Sequence, residues 1–239
     1  MIKKKSALVI GASGLVGKEC VLALLAHPDY EKVIMLVRTP LPITAAKLEQ
    51  HTVNFSNFSQ MSTEHHHYFN VDEVYCCLGT TIKKAKSKQK FAEIDLDLVV
   101  AIANNAKQAQ VTTFSVISSI GANASSKNFY SATKGKMEQS VKALHLNNLI
   151  IVRPSLLLGK RNETRILESI GIKVFSLLAF MLIGPLKTYK PISANMLAQS
   201  MIALNESHEN ANTSALKNLG QSHQVASYLE YEKHSISQN

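Results

Sequence analysis

Short unbroken apolar runs recur along the chain. Ala7–Ile10, Val33–Val37, the core of Glu73–Cys77, Thr113–Ile117 and Leu149–Val152 are four or five residues long, without the alternation of a half-exposed strand. Such runs fit strands buried on both faces of a parallel sheet. Thr52–Phe55 ends a further, less regular strand. Between the runs the period changes. Leu15, Val16, Cys20 and Leu24 repeat at helical spacing up to about Ala26, and Leu96, Val99, Val100, Ala103 and Ala106 do so over Asp95–Ala109. Tyr130, Lys134, Met137, Val141 and Leu144 form another stripe, and Ser193–Leu204 reads as an amphipathic helix with a serine N-cap. Six strands alternating with helices predict an α/β chain with a doubly wound parallel sheet. No internal repeat or low-complexity linker interrupts it. The expectation is one domain over 1–239, with about 155–239 carrying substrate-side helices and a C-terminal cap.

Other stretches carry less pattern. His65-His-His67 reads as a solvated loop, since consecutive histidines on a regular element do not face one ion. Ile82–Lys90 holds five lysines and reads as a solvated loop on the crevice side of the sheet. It has no interleaved aromatics, so stacking on single-stranded nucleic acid is not indicated. Ile170–Leu186 is strongly apolar, but it is shorter than the roughly 20 residues of a membrane span, contains Lys173 and ends at Gly184-Pro185. It reads as a helix covering the substrate side of the sheet or a homodimer interface, with a monotopic membrane contact as the alternative. A polar loop over 205–214, a strand over 216–219 and a helix over 223–231 complete the expectation.

Hydrophobic residues make up 46% of the 239 and charged residues 18%, a balance that excludes a disordered chain. The formal charge of +9 suits an anionic ligand without specifying which. Cys20, Cys76 and Cys77 have neither disulfide nor metal-ligand spacing, and the basic N-terminus runs straight into a strand. Both point to a reducing cytoplasm.

The candidate chemistry lies after the strands. Gly11-Ala-Ser-Gly-Leu-Val-Gly17 joins the first strand to the first helix, the context of a dinucleotide-binding turn. Gly11 permits the tight turn, Gly14 lets a pyrophosphate approach the helix N-terminus, and Gly17 lets helix and strand pack closely. Arg38 ends the second strand, with no acid beside it. An arginine there accepts a 2′-phosphate, which favours NADP(H) over NAD(H). Ser118 and Ser119 end the fifth strand. Strand alignment favours Ser119 toward the crevice, while a bulge would exchange the two. Tyr130 and Lys134 are four residues apart on one helix face, so an ammonium lies near a phenol and favours its ionised form.

Together, Gly11–Gly17, Val116-Ile-Ser-Ser119, Tyr130-Ser-Ala-Thr-Lys134 and Arg153-Pro154-Ser155 resemble the short-chain dehydrogenase/reductase family. Cys77-Leu-Gly-Thr-Thr81 and Val152–Leu158 resemble its atypical branch, the Tat-interacting oxidoreductase-like proteins. The resemblance implies a Rossmann fold and hydride transfer between a nicotinamide and a small carbonyl or alcohol of unknown identity. It implies Tyr130 as general acid/base, Lys134 on the nicotinamide ribose and Ser119 on the carbonyl. It places the dinucleotide on Gly11, Ser13, Gly14, Leu15, Val16, Gly17, Arg38, Leu78, Gly79, Thr80, Tyr130, Lys134, Pro154 and Ser155. Asp95 stands about where many members of the family carry an asparagine. The alternative is an NADPH-binding sensor or scaffold without turnover, and a sugar-nucleotide epimerase is a third reading. Neither a nucleic-acid partner nor a transmembrane span is expected.

Overall fold

A computed structural model describes residues 4–55, 63–155, 157–158, 192–209 and 229–233. Its elements in chain order are β1 (Lys5–Ile10), α1 (Leu15–Ala26), β2 (Tyr30–Val37), β3 (Leu48–Thr52), β4 (Glu73–Cys76), α2 (Ile82–Ala85), α3 (Lys88–Ala92), α4 (Leu98–Gln108), β5 (Thr113–Ile117), α5 (Phe129–Lys142), β6 (Asn148–Val152), β7 (Leu157–Leu158), β8 (Ile192–Ser193), α6 (Ala194–Glu209) and β9 (Leu229–Lys233).

The main sheet has the order β3-β2-β1-β4-β5-β6-β9. The first six strands are parallel, and β9 runs antiparallel to β6. The order reverses between β1 and β4, so a ligand crevice is expected beyond their carboxyl ends. Period-two alternation divides the core. Ala7, Val9, Tyr75, Ile117 and Val152 pack with α1 and α6, whereas Leu8, Ile10, Cys76, Val116 and Ile151 pack with α4 and α5. Each fully buried branched side chain contributes about 1.5–3 kcal/mol, so these two layers dominate cohesion.

One polar cluster pierces the α1/α6 layer at the N-terminal edge of the sheet. Glu73, with no exposed surface, receives Lys5 on Oε1 at 3.2 Å. Its Oε2 accepts from Tyr30 (2.7 Å), Tyr75 (2.6 Å) and Asn205 of α6 (2.9 Å). Ser115 on β5 then donates to Asn205 Oδ1 at 2.6 Å. Every member has a partner, as a buried charge requires.

Several expectations change. The third strand is Leu48–Thr52 rather than one ending over 52–55. The histidine run is a tight helical turn, Thr63–Phe69, with His65 buried and His66 and His67 exposed. The lysine-rich stretch is no loop. Thr81 caps α2 and Ser87 caps α3 through their hydroxyls, which nucleates helix where exposed lysines show no period. The helix expected from Asp95 begins at Lys88, passing through a wide π turn over Glu93–Asp97. Helix α6 runs on to Glu209, past the loop expected from 205. Residues 229–231 are strand, not helix; Leu229, Tyr231 and Lys233 alternate with Glu230 and Glu232, a strand period. Ile170–Leu186 and the strand expected over 216–219 lie outside the described residues, and among the described ones no helix is long and apolar enough to cross a membrane.

Burial first, and the Glu73 carboxylate second, push the Tyr30 and Tyr75 phenols above the ordinary tyrosine range. The folded state thus favours the neutral phenols. Their contribution is complete below about pH 10, the unfolded value, and is lost as pH rises beyond it. Denaturant titrations from pH 8 to 11 are expected to show unfolding free energy falling above about pH 10. Tyr75→Phe is expected to flatten that fall while lowering stability at pH 8 by about 1–2 kcal/mol.

Candidate active site

The site is built outward from the turn after β1. Gly11 has φ +88°, and a Cβ there would lie 2.7 Å from the Cys77 carbonyl group. The chain therefore crosses the end of β4 backbone to backbone. A Cβ on Gly17 would lie 2.2 Å from Gly11 O, which seats the first turn of α1 on the same crossing. Gly14 donates to Gly11 O at 2.9 Å and N-caps α1 without a side-chain cap. The first turn of α1 has no acidic residue, so its unpaired N–H groups and positive dipole end face an anion unopposed.

Beyond this turn opens a cleft of about 740 Å³, within the usual range for small-ligand sites. Gly11, Ser13 and Gly14, Leu36–Arg38, Asn54 and Phe55, Cys77–Thr80, Lys84, Ala85, Lys90, Glu93, Ile94, Asp97 and Leu98 line it. Arg38 is exposed and has no ion pair among the described residues. Leu15 and Val16 do not line the cleft with their side chains, which turn toward the core below α1. Cys77 lines it as a thiol whose hydrogen bond to Cys20, first, and burial, second, hold it well above the ordinary thiol range. Burial pushes Cys76 up to about 12.

Tyr130 and Lys134 come from α5, whose N-cap Asn128 accepts from Ser131 N–H. Tyr130 is half-buried, with its ring 5.5 Å from that of Phe91 on α3. Lys134 is only 2% exposed. Its ammonium lies 2.8 Å from Asp95 Oδ1 and donates to Ile117 O at 3.4 Å. Asp95 Oδ2 accepts the N–H of Thr80 at 2.9 Å. Lys134 thus lies behind the Gly79 edge of the cleft, where an added Cβ would come within 3.9 Å of Nζ.

The segment after β5 is clamped down. Ser118 N–H extends the ladder to Val152 O, and the buried Ser118 Oγ has no partner among the described residues. Ser119 is half-buried and donates to Ile120 O at 3.2 Å. Ile120 N–H donates to the carbonyl of Pro154, which is buried; Ser155 follows it, half-buried. The loop then lies against α5 at Gly135, where a Cβ would sit 2.1 Å from Ala124 N. One turn on, the buried Glu138 carboxylate takes Arg153 of the β6 end in a two-pronged ion pair, with Nε to Oε1 at 2.9 Å.

The cleft therefore gathers Gly11, Ser13, Gly14, Arg38, Leu78, Gly79 and Thr80. Ser119, Tyr130, Lys134, Pro154 and Ser155 stand outside its lining, and Lys134 is linked to it through Asp95 and Thr80. Sequence reasoning missed the Asp95–Lys134 and Glu138–Arg153 pairs and the tight contact at Gly135. A glycine inside a helix costs about 1 kcal/mol against alanine, which is itself a signal that something packs there.

A model of the NAD(P)H-binding family matches residues 11–177. The chain belongs to that family. The mitochondrial protein FMP52 of Debaryomyces hansenii is 31% identical, over 83% of this chain and 87% of its own. Protein HTATIP2 of Rattus norvegicus, on the branch expected from the motifs, is 32% identical, covering 73% of this chain and 72% of its own. Among solved structures, a GalE-like L-threonine dehydrogenase from Cupriavidus necator aligns with TM-score 0.63 at 17% identity, over 84% of this chain and 72% of that one. The Bordetella bronchiseptica enzyme WbmH in complex with NAD+ aligns with TM-score 0.62 at 14% identity, over 83% and 71%. At these identities the likeness is one of fold, the Rossmann-like sheet. The family's dinucleotide fits the glycine turn, where close backbone packing at Gly11 and Gly17 sets an acid-free helix N-terminus at the mouth of the cleft.

His27, Asp29 and Glu206 also cluster, their ligand atoms within 4.8 Å. His27 Nδ1 accepts Asp29 N–H, which leaves the imidazole proton on Nε2, 2.9 Å from Glu206 Oε1. That tautomer makes a hydrogen bond, not a metal ligand.

Ser13→Asp is expected to place a carboxylate against any anion at the α1 N-terminus. Titration should show affinity for a nicotinamide dinucleotide falling about tenfold or more, with little change in thermal midpoint because Ser13 is exposed.

Proposed function

We propose that the protein is an NADP-dependent oxidoreductase that transfers hydride between a nicotinamide and a small carbonyl or alcohol. The observation that carries the NADP preference is Arg38, exposed and unpaired among the described residues, at the end of β2 on the cleft wall. Guanidinium suits a phosphate, whereas an acid at this place would suit ribose hydroxyls. The acids that do line the cleft, Glu93 and Asp97, come from the π turn, and Glu93 is already paired with Lys90.

The cofactor, when bound, supplies the hydride chemistry. The chain supplies position and protons. The N–H groups at the α1 N-terminus and the Leu78–Thr80 segment would hold the phosphates and ribose. Lys134 is ion-paired with Asp95 and donates to the Ile117 carbonyl, and its remaining donor capacity would meet a ribose hydroxyl. Tyr130, with its phenol free of partners among the described residues, gives or takes the substrate proton. Ser119 is the more accessible of the two serines and would polarise the carbonyl by turning its hydroxyl away from Ile120 O; Ser118 is 4% exposed.

One observation favours the second reading, a cofactor-binding sensor without turnover. The ammonium expected to act on Tyr130 is charge-compensated by Asp95.

Two measurements test these readings. Arg38→Ala is expected to weaken NADPH binding about 10- to 100-fold, the loss of a charge-assisted contact, and to leave NADH affinity nearly unchanged; tighter NADH than NADPH binding by the native chain would refute the phosphate argument. With a panel of aldehydes and ketones, Tyr130→Phe is expected to lower NADPH oxidation by at least about 100-fold at unchanged cofactor affinity. No turnover by the native chain across the panel, with NADPH bound, would select the sensor.

A further inference from the structure

Asp95 has no exposed surface and lies in the middle of the π turn Glu93–Asp97. Glu93 and Asp97 line the cleft, whereas Asp95 turns inward. Its two oxygens serve two different elements: Oδ1 the Lys134 ammonium of α5, Oδ2 the Thr80 N–H of the loop after β4. Both partners are donors. An amide of the same shape has an acceptor at one end and donors only at the other. Whichever way an asparagine turned here, its NH₂ would meet an N–H, either that of Thr80 or those of Lys134. Only an ionised aspartate answers both.

The pair also lies at the edge of the cleft. A Cβ on Gly79 would come within 3.7 Å of Asp95 Oδ1 and 3.9 Å of Lys134 Nζ, so at this point only backbone separates the pair from the ligand space. Lys134 is held by the ion pair with Asp95 and by its hydrogen bond to Ile117 O, and those two contacts set where the rest of its ammonium points. Without Asp95 it would be a buried, unanswered cation.

We propose that Asp95 is a positioning residue that couples the cleft to Lys134. Its carboxylate holds the ammonium and the Thr80 backbone together, so that Lys134 meets a nicotinamide dinucleotide as a placed, charge-compensated hydrogen-bond donor. The proposal rests on the dinucleotide-binding reading of the cleft.

The test is a double-mutant cycle on the full chain, with NADPH titrated calorimetrically and thermal midpoints recorded. Asp95→Asn and Lys134→Met are each expected to weaken NADPH binding about tenfold and to lower the midpoint, because each strands a buried charge. The double variant removes both charges. Its affinity is expected to be no weaker than that of Lys134→Met alone, and its midpoint to lie above that of Asp95→Asn. If the two losses in affinity instead add, Asp95 acts through Thr80 alone and the proposal falls. It falls equally if Asp95→Asn binds NADPH as the native chain does. If Asp95→Asn does not fold, the comparison of the double variant with Lys134→Met decides: a folded double variant of matching affinity supports the coupling, and an unfolded or weaker one overturns it. A native chain that binds neither NADPH nor NADH would overturn the cleft reading and the proposal with it. Native binding combined with additive losses overturns the proposal only.

Discussion

The crossing of Gly11 over Cys77 is the contact from which the carboxyl edge of the sheet is laid out. Two backbones meet there with no room for a side chain between them, and Gly17 brings α1 down onto the same point. That fixes where the helix N-terminus stands relative to the end of β4, and so the mouth of the cleft. The loop leaving this crossing, Leu78–Thr80, is the one whose Thr80 N–H rests on Asp95, and Asp95 holds Lys134. Immediately after Lys134, Gly135 admits the loop that connects Ser119 to Tyr130. The polar face of α5 is thus located by a short series of direct contacts that starts at the glycine turn.

The sheet buries two carboxylates in different ways. Glu73, at the start of β4, is enclosed by Lys5, Tyr30, Tyr75 and Asn205, and its network ties α6 to the core. Asp95, beyond the other end of β4, meets the Lys134 ammonium and the Thr80 N–H among the described residues and lies beside Gly79 at the cleft edge. The parallel sheet explains the difference. At its N-terminal edge the strands begin and the layers close over them; at its C-terminal edge, where the connections leaving β1 and β4 turn to opposite sides, the crevice remains. A satisfied buried charge at the closed end acts as a fastening. One beside the crevice is in reach of a ligand.

What the sequence carried was periodic or local. The strand–glycine–helix start, the buried strands, Arg38 at the end of β2 and the α5 stripe all follow from spacing within some 20 residues. What it did not carry was pairing across distance. Asp95 and Lys134 come from separate elements, and nothing in either segment marks the other; the same holds for Glu138 and Arg153. The lysine-rich stretch looked unstructured because exposed lysines show no period, although Thr81 and Ser87 were legible as caps. The edge strand β9 was misread because a five-residue alternation competes poorly with a helical reading over a longer window.

These pairings bear on how α5 works. Lys134 and Glu138 lie one turn apart on its buried face, and each is matched by an opposite charge from another element, Asp95 and Arg153. The face is therefore electrically balanced, and a compensated pair acts on a neighbour as a dipole, whose field falls off faster than that of a single charge. The field expected at Tyr130 from an isolated ammonium is reduced accordingly. What α5 retains is geometry: a lysine donor held by two contacts, a phenol packed on Phe91, and a loop pressed against Gly135. Placement of reacting groups can supply as much rate as charge does, provided water is excluded when the ligand binds. In this chain the burden of any catalysis falls on that placement, which makes the contacts that aim Lys134 more consequential than its charge.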